Sequence, residues 1–322
     1  MKKRALVTGG SGFIGSHLVE SLLRDGYEVV ALDNFFTGSR ANLKFCEHVH
    51  GRSLEIYRHD VCEPFHFDVD EIYHLACPAS PVHYQRNPVR TLETAVIGTS
   101  NALRCARDSA ARIFLASTSE VYGDPVEHPQ CETYLGNVST VGPRACYDEG
   151  KRAGETLASC YHRQFDVDVR VARLFNTYGP NMHQHDGRVV SNFIVQALKG
   201  EPLTIYGDGT QTRSFCYVSD MVKGIRAYMQ RPQEHFGDQM PVLNLGNPVE
   251  CTMWGLMKVV LNLTMSASEV QKHPLPQDDP KQRKPDITLA RNFLGFEPEV
   301  NLSAGISETI HYFRRVLAGQ ES

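Results

Sequence analysis

The chain is 322 residues long, more than one average domain and close to the length of two. Its make-up, 41% hydrophobic and 22% charged with 25 Gly and 17 Pro, is ordinary for a globular enzyme and sufficient to build a core around a small-molecule site. With 33 basic residues against 37 acidic ones the formal charge is -4, so there is no cationic excess for a phosphate backbone and no nucleic-acid partner is expected.

In chain order, Arg4-Ala5-Leu6-Val7-Thr8 reads as a strand and Ile14 to Arg24 as an amphipathic helix. Val29-Val30-Ala31-Leu32, Ile72-Tyr73-His74-Leu75 and Ile113-Phe114-Leu115-Ala116 read as further strands, with one helix predicted over Val89–Arg107. A long helix follows over Tyr147–Gln164, then a strand over Val169–Leu174. Alternation of this kind needs crossover connections, so the expected fold class is α/β, a doubly wound parallel sheet (Rossmann) with a smaller C-terminal substrate-binding lobe. The expected division is residues 1–180 for the dinucleotide-binding domain and 181–322 for the lobe, some of whose strands and helices return to the first domain. Helices are expected at Val189–Lys199 and Val218–Met229, and a Pro- and charge-rich stretch, His273 to Pro285, precedes two terminal helical segments.

No stretch approaches 18 uninterrupted apolar residues, and no charged segment followed by an apolar one opens the chain. A soluble, non-secreted, cytoplasmic protein with no membrane partner is expected. The nine cysteines are odd in number, at least 14 residues apart, and show neither C-x-x-C nor zinc-like Cys/His spacing, so they read as free thiols in a reducing compartment, with no metal site.

Between the first strand and helix lies Gly9-Gly10-Ser11-Gly12-Phe13-Ile14-Gly15, which satisfies G-x-G-x-x-G. Its glycines permit a tight turn and close approach of backbone N–H groups to a pyrophosphate at a helix N-terminus. Asp33 ends the next strand, where a carboxylate accepts hydrogen bonds from both ribose hydroxyls and repels a 2′-phosphate; this favours NAD over NADP, with Arg40 nearby arguing the other way. Asp60 and Val61, after the third strand, stand where they can flank the adenine, although Asp60 reads equally well as a turn residue. Tyr147 and Lys151 form Tyr-x-x-x-Lys, whose i,i+4 spacing puts phenol and ammonium on one helix face. A free phenol has a pKa of about 10. A neighbouring ammonium and an oxidised nicotinamide would both lower it toward the working range of a base. Ser117-Thr118-Ser119-Glu120 directly follows an apolar strand and brings hydroxyls and a carboxylate to the same end of the sheet.

The glycine loop with Tyr147-x-x-x-Lys151 resembles the extended short-chain dehydrogenase/reductase family. Longer strings resemble its UDP-glucuronic acid decarboxylase (UDP-xylose synthase) members: His74-Leu75-Ala76-Cys77-Pro78-Ala79-Ser80-Pro81, Ser117 to Pro125, Arg144-Ala145-Cys146-Tyr147-Asp148-Glu149-Gly150-Lys151-Arg152, Phe175 to Pro180, Asp186 to Phe193, Gln211 to Phe215 and Gln282 to Asp286. The resemblance implies bound NAD, UDP-glucuronate as substrate, UDP-xylose and carbon dioxide as products, and a homodimer with helices such as Val89–Arg107 and Tyr147–Gln164 at its interface. It implies a cofactor set of Gly9, Gly12, Phe13, Ile14, Gly15, Asp33, Asn34, Asp60, Val61, Leu75, Ala76, Tyr147 and Lys151. Tyr147 would take the proton of the sugar 4-hydroxyl as hydride leaves C4. The 4-ketone is β to the carboxylate, so loss of carbon dioxide yields an enolate, stabilised by Tyr147 and Thr118. Glu120 would transfer a proton or position a water near C5, the alternative being a strand-end carboxylate that caps a turn. Ser119 stands where the related 4,6-dehydratases carry Asp, which favours a decarboxylase. Arg283 would hold the substrate carboxylate or a phosphate and orient a water, since guanidinium is a poor acid. Asn176, Arg188, Asn192 and Arg213 suit the nucleotide sugar; Tyr84 and Tyr206 contact sugar or uracil, or simply pack.

Two positions depart from the pattern: Glu93 where Lys is usual, and Ala95 where Asn is usual. An acid facing a pyrophosphate and a uronate is unfavourable unless it points away or pairs with Arg90 or Arg86. The alternatives to a decarboxylase are a UDP-sugar 4-epimerase of the same fold and a non-catalytic NAD- or UDP-sugar-binding regulator.

Overall fold

The computed structural model describes residues 2–237, 240–274 and 282–319, so part of the His273–Pro285 stretch, residues 275–281, lies outside them. The strands are β1 (Arg4–Thr8), β2 (Glu28–Asp33), β3 (Leu54–Arg58), β4 (Glu71–His74), β5 (Arg112–Thr118), β6 (Val169–Leu174), β7 (Thr177–Tyr178), β8 (Leu203–Tyr206), β9 (Thr212–Ser214), β10 (Cys216–Tyr217), β11 (Val242–Leu245), β12 (Glu250–Thr252) and β13 (Val270–His273). The helices are α1 (Phe13–Arg24), α2 (Lys44–His50), α3 (Pro81–Tyr84), α4 (Pro88–Glu93), α5 (Thr99–Asp108), α6 (Ala145–Phe165), α7 (Val189–Lys199), α8 (Val218–Gln230), α9 (Met253–Thr264), α10 (Thr288–Leu294) and α11 (Leu302–Leu317). A seven-stranded parallel sheet, ordered β11-β6-β5-β4-β1-β2-β3, is the doubly wound architecture expected from the alternation. The remaining strands pair two by two: β10 with β7, β12 with β9, β13 with β8.

The apolar runs of β1, β4 and β5 are buried on both faces, as parallel strands between two helical layers must be. Leu18, Val19, Leu22 and Leu23 put one stripe of α1 into this core. In α6 the buried residues Tyr147, Gly150, Lys151, Gly154 and Ala158 recur at three- and four-residue intervals, which turns the Tyr-x-x-x-Lys face inward. That helix ends at Asp166 in the left-handed conformation. A second apolar cluster, around α7, α9 and α11, lies over the carboxyl ends of the strands. Val242–Leu245 nevertheless extends the large sheet as the parallel neighbour of β6.

The helix predicted over Val89–Arg107 is interrupted. Asn87 caps its start, its Oδ1 accepting from Arg90 N at 3.2 Å, and Thr94–Gly98 forms a wide π turn between α4 and α5. Periodicity does not disclose such a turn, because buried Thr91, Ala95, Gly98 and Ala102 keep a helical spacing through it. Gly98 lies so close to Val61 that a Cβ there would stand 2.7 Å from its Cγ2.

His74, at the end of β4, is 2% exposed between two threonines, Nδ1 2.8 Å from Thr8 Oγ1 and Nε2 3.3 Å from Thr99 Oγ1. Burial, aided by the Lys151 charge, holds the imidazole neutral, its pKa pushed down to about 3. The unfolded chain takes up this proton near pH 6.5 and the native state only near pH 3, so stability is full above 6.5 and falls between these limits at about 1.4 kcal/mol per pH unit. Denaturant unfolding of His74→Gln from pH 6.5 to 4.5 is expected to show a slope shallower by that one proton.

Candidate active site

The carboxyl ends of β1, β4, β5 and β6 open into a cavity of about 810 Å³ beneath the second apolar cluster. Every residue singled out from the sequence as a site candidate lines it, from Gly9 to Arg283. At one end the glycine loop forms a cradle. A Cβ on Gly15 would stand 2.0 Å from Gly9 O, and Gly9 itself has φ +70°. Asp33 is 7% exposed and accepts from Ser11 N at 3.0 Å and Phe35 N at 2.8 Å, which ties the loop to the end of β2. Burial raises its pKa against the pull of those two N–H groups. A carboxylate has about four acceptor positions, so capacity remains for a diol. Arg40 is paired to Glu47 at 2.6 Å and does not line the cavity, so it does not argue for a 2′-phosphate. Asp60 accepts from Cys62 N at 2.9 Å and Asn34 Nδ2 at 3.0 Å and pairs with Arg90 at 2.9 Å; partial burial raises its pKa, but these contacts, the Cys62 N–H first, outweigh it and hold the value down to about 2. These residues fit an adenine dinucleotide. Glu93, the departure on α4, pairs with Arg90 at 3.0 Å and is not part of the lining, which removes the clash with an anionic substrate.

In the middle, Tyr147 is 5% exposed and hydrogen-bonds Thr118. Lys151 donates to Ala116 O at 2.8 Å and stands 5.9 Å from the Tyr147 ring centroid. The ammonium and an oxidised nicotinamide are both expected to lower the phenol pKa; in the chain alone the ammonium does not bring it down. Burial raises it well above 10, reinforced by the nearby Cys77 thiol, with only the Thr118 hydrogen bond opposing. Tyr84, considered as a sugar or uracil contact, is 1% exposed and stacked on Tyr147 with centroids 5.1 Å apart and planes 3° off parallel. It buttresses the ring.

Beyond Tyr147 lies a charged trio. Glu120 pairs with Arg144 at 2.6 Å and with both Nη atoms of Arg283, the Nη2 contact being 3.0 Å. Burial pushes the carboxyl pKa up, but the two guanidiniums win and hold it at about 2, so Glu120 is ionised. Next to the trio, Asp148 is 6% exposed with Oδ1 unpartnered among the described residues; burial and then the Glu120 charge lift it to about 7. On the lobe side, Arg188 pairs with Asp186 and stands 5.8 Å over the Phe13 ring, Arg213 Nη1 donates to Thr212 O at 2.8 Å, and Asn192 donates to Gly187 O at 3.2 Å. Tyr206 is half-exposed against His273, and Asn176 completes the lining between β6 and β7. The cavity is thus acidic at the dinucleotide end and rich in arginine at the other.

Residues 5–246 match the NAD dependent epimerase/dehydratase family. UDP-glucuronic acid decarboxylase 4 of Arabidopsis thaliana is 53% identical over 318 residues, 99% of this chain and 70% of that protein. UDP-glucuronic acid decarboxylase 1 of Xenopus tropicalis is 53% identical over 320 residues, 99% of this chain and 74% of that protein. The chain belongs to the UDP-glucuronic acid decarboxylase branch of the NAD dependent epimerase/dehydratase family. A UDP-glucuronic acid 4-epimerase from Bacillus cereus, solved in complex with UDP-glucuronic acid and NAD, is similar in structure with a TM-score of 0.86 at 27% identity, over 97% of this chain and 99% of that one.

Two members of this decarboxylase-family site were not singled out from the sequence. Arg144 stands one helical turn before Tyr147, a spacing that points it toward the same cavity, and Asp148 follows Tyr147 directly. Both Glu120 and Asp148 are held down by the Arg144 charge. Arg144→Met is therefore expected to raise both carboxyl pKa values and move the acid limb of the turnover–pH profile upward by about 1–3 units. Initial rates from pH 4 to 8 for both proteins check this.

Proposed function

We propose that the chain converts UDP-glucuronate to UDP-xylose and carbon dioxide, redox-neutral overall, with NAD in the glycine cradle. NAD, when bound, supplies reversible acceptance of the C4 hydride. Gly9 to Gly15, Asp33 and Asp60 would hold its adenosine diphosphate half, and Leu75, Ala76 and Lys151 would lie toward its nicotinamide. Tyr147 Oη takes the proton of the 4-hydroxyl and returns it at the end, assisted by Thr118 and by the positive charge that the oxidised ring brings beside a phenol the chain alone keeps neutral. Tyr147 and Thr118 then face the C4 oxygen, where the enolate charge collects once the β-keto acid loses carbon dioxide. Arg144, Arg188, Arg213 and Arg283 offset the charge of the uronate and pyrophosphate. Glu120 is pinned as an anion, and an anion of such low basicity is suited to orienting a water through which a proton taken up from solvent reaches C5.

The observation that carries this reading is Glu120 held between Arg144 and Arg283 beside Tyr147. A 4-epimerase needs the Tyr147–Lys151–Thr118 group but has no step at C5. Mass spectrometry of the products from UDP-glucuronate decides between them: UDP-xylose with carbon dioxide supports the decarboxylase, UDP-galacturonate the epimerase, and no conversion with retained ligand binding the regulator. Tyr147→Phe is expected to lower turnover by about 10²–10⁴-fold while leaving UDP-glucuronate binding nearly unchanged by calorimetry.

We also propose a homodimer in a cytoplasmic, reducing setting. All nine cysteines are unpaired. Val89, Leu92 and Ile97 expose apolar side chains beside α6, the face assigned to the second copy. Sedimentation of Leu92→Glu is expected to show a shift toward monomer relative to the parent protein; an unchanged dimer would place the interface elsewhere.

A further inference from the structure

Glu120 and Arg283 come from places 163 residues apart, yet the segments that carry them meet at one buried amide. Asn244, on β11, is fully buried. Its Oδ1 accepts from Tyr122 OH at 2.7 Å, and Tyr122 closes the 3-10 turn Ser119–Tyr122 that carries Glu120. Its Nδ2 donates to Gln130 O at 3.0 Å and to Asp286 O at 3.1 Å. Gln130, also fully buried, binds the segment bearing Arg283: its N donates to Lys284 O at 2.9 Å, its Oε1 accepts from Lys284 N at 2.9 Å, and its backbone carbonyl accepts from Asp286 N at 2.8 Å. On the other flank, Ser214 Oγ donates to Arg283 O at 3.4 Å.

We propose that Asn244 is a positioning residue of the decarboxylation step, a bracket whose carbonyl fixes the turn under Glu120 and whose amide nitrogen fixes the segment under Arg283. The reasoning is geometric. An ion pair between two long side chains has a defined orientation only if both backbones are fixed relative to each other, and misplacement of about 1 Å costs about 100-fold in a positioned reaction. Among the described residues the Tyr122 hydroxyl bonds to Asn244 and Arg173, and of these two Asn244 also reaches the 284–286 segment, through Asp286 O. Tyr147 and Lys151 lie outside the bracket, on α6, whereas Thr118 caps the bracketed turn through Glu120 N at 3.2 Å, so the bracket bears on decarboxylation more than on oxidation.

The inference rests on the decarboxylase reading, and the experiment separates the two. Stopped-flow records reduced nicotinamide by its near-ultraviolet absorbance while carbon dioxide release is followed in parallel, on the NAD-loaded parent and on Asn244→Ala and Tyr122→Phe. Failure of the parent to release carbon dioxide overturns the reading of the site. If the parent does release it, Asn244→Ala is expected to form reduced cofactor at a rate within about twofold of the parent and to release carbon dioxide about 100-fold more slowly, so that reduced cofactor accumulates. Tyr122→Phe removes one oxygen and keeps the packing, so it serves if Asn244→Ala does not fold; the same partition should shift by about fivefold. Equal loss of both signals, or an unchanged ratio in Tyr122→Phe, overturns the positioning role and leaves Asn244 purely structural.

Discussion

A buried carboxylate has to be compensated, and at Glu120 the compensation comes from two guanidiniums borrowed from distant parts of the chain. Desolvating three charged groups costs several kcal/mol each, recovered only when orientation is good and hydrogen bonds are made. Arg144 enters from the turn before α6 and Arg283 from the segment before α10, so the pairings hold the end of β5, the start of α6 and the C-terminal part of the chain around one point. The charge balance there suits the proposed reading of a uronate: one anion between two cations leaves the trio net positive toward an acidic sugar. The same surroundings leave Asp148 as the weaker acid of the neighbourhood, its burial relieved by no hydrogen bond to Oδ1.

Tyr147 illustrates a division of labour between chain and cofactor. Stacking on Tyr84 and near-complete burial keep the phenol protonated, while Lys151 is committed to the carbonyl of Ala116. In the proposed mechanism the phenol would stay protonated until the oxidised cofactor is bound, which would couple proton removal to the presence of an electron acceptor.

The parallel sheet was legible because its strands are apolar runs between amphipathic helices, and the dinucleotide cradle because Gly9 to Gly15 and Asp33 are local signals with a fixed separation. Tyr147 and Lys151 were legible for the same reason. What could not be read is long-range or masked by its own regularity. Glu120 and Arg283 could each be named, but their pairing over 163 residues could not, and the neighbouring role of Arg144 was hidden in a motif remarkable only for its tyrosine. The π turn at Thr94–Gly98 keeps an apolar spacing indistinguishable from an unbroken helix, and Tyr84 offered no clue that its ring would face Tyr147 rather than a ligand.

The seventh strand of the large sheet, Val242–Leu245, is contributed by the last third of the sequence. During synthesis from the N-terminus, the glycine cradle and β1 to β6 emerge long before that edge can be covered, and β6 waits with an unpaired flank. Without β11 the flank of β6 would stay unpaired, an edge open to pairing with another chain. The strand that closes the sheet also carries Asn244, so the edge of the parallel sheet and the bracket under the acid-reading segments draw on the same four residues.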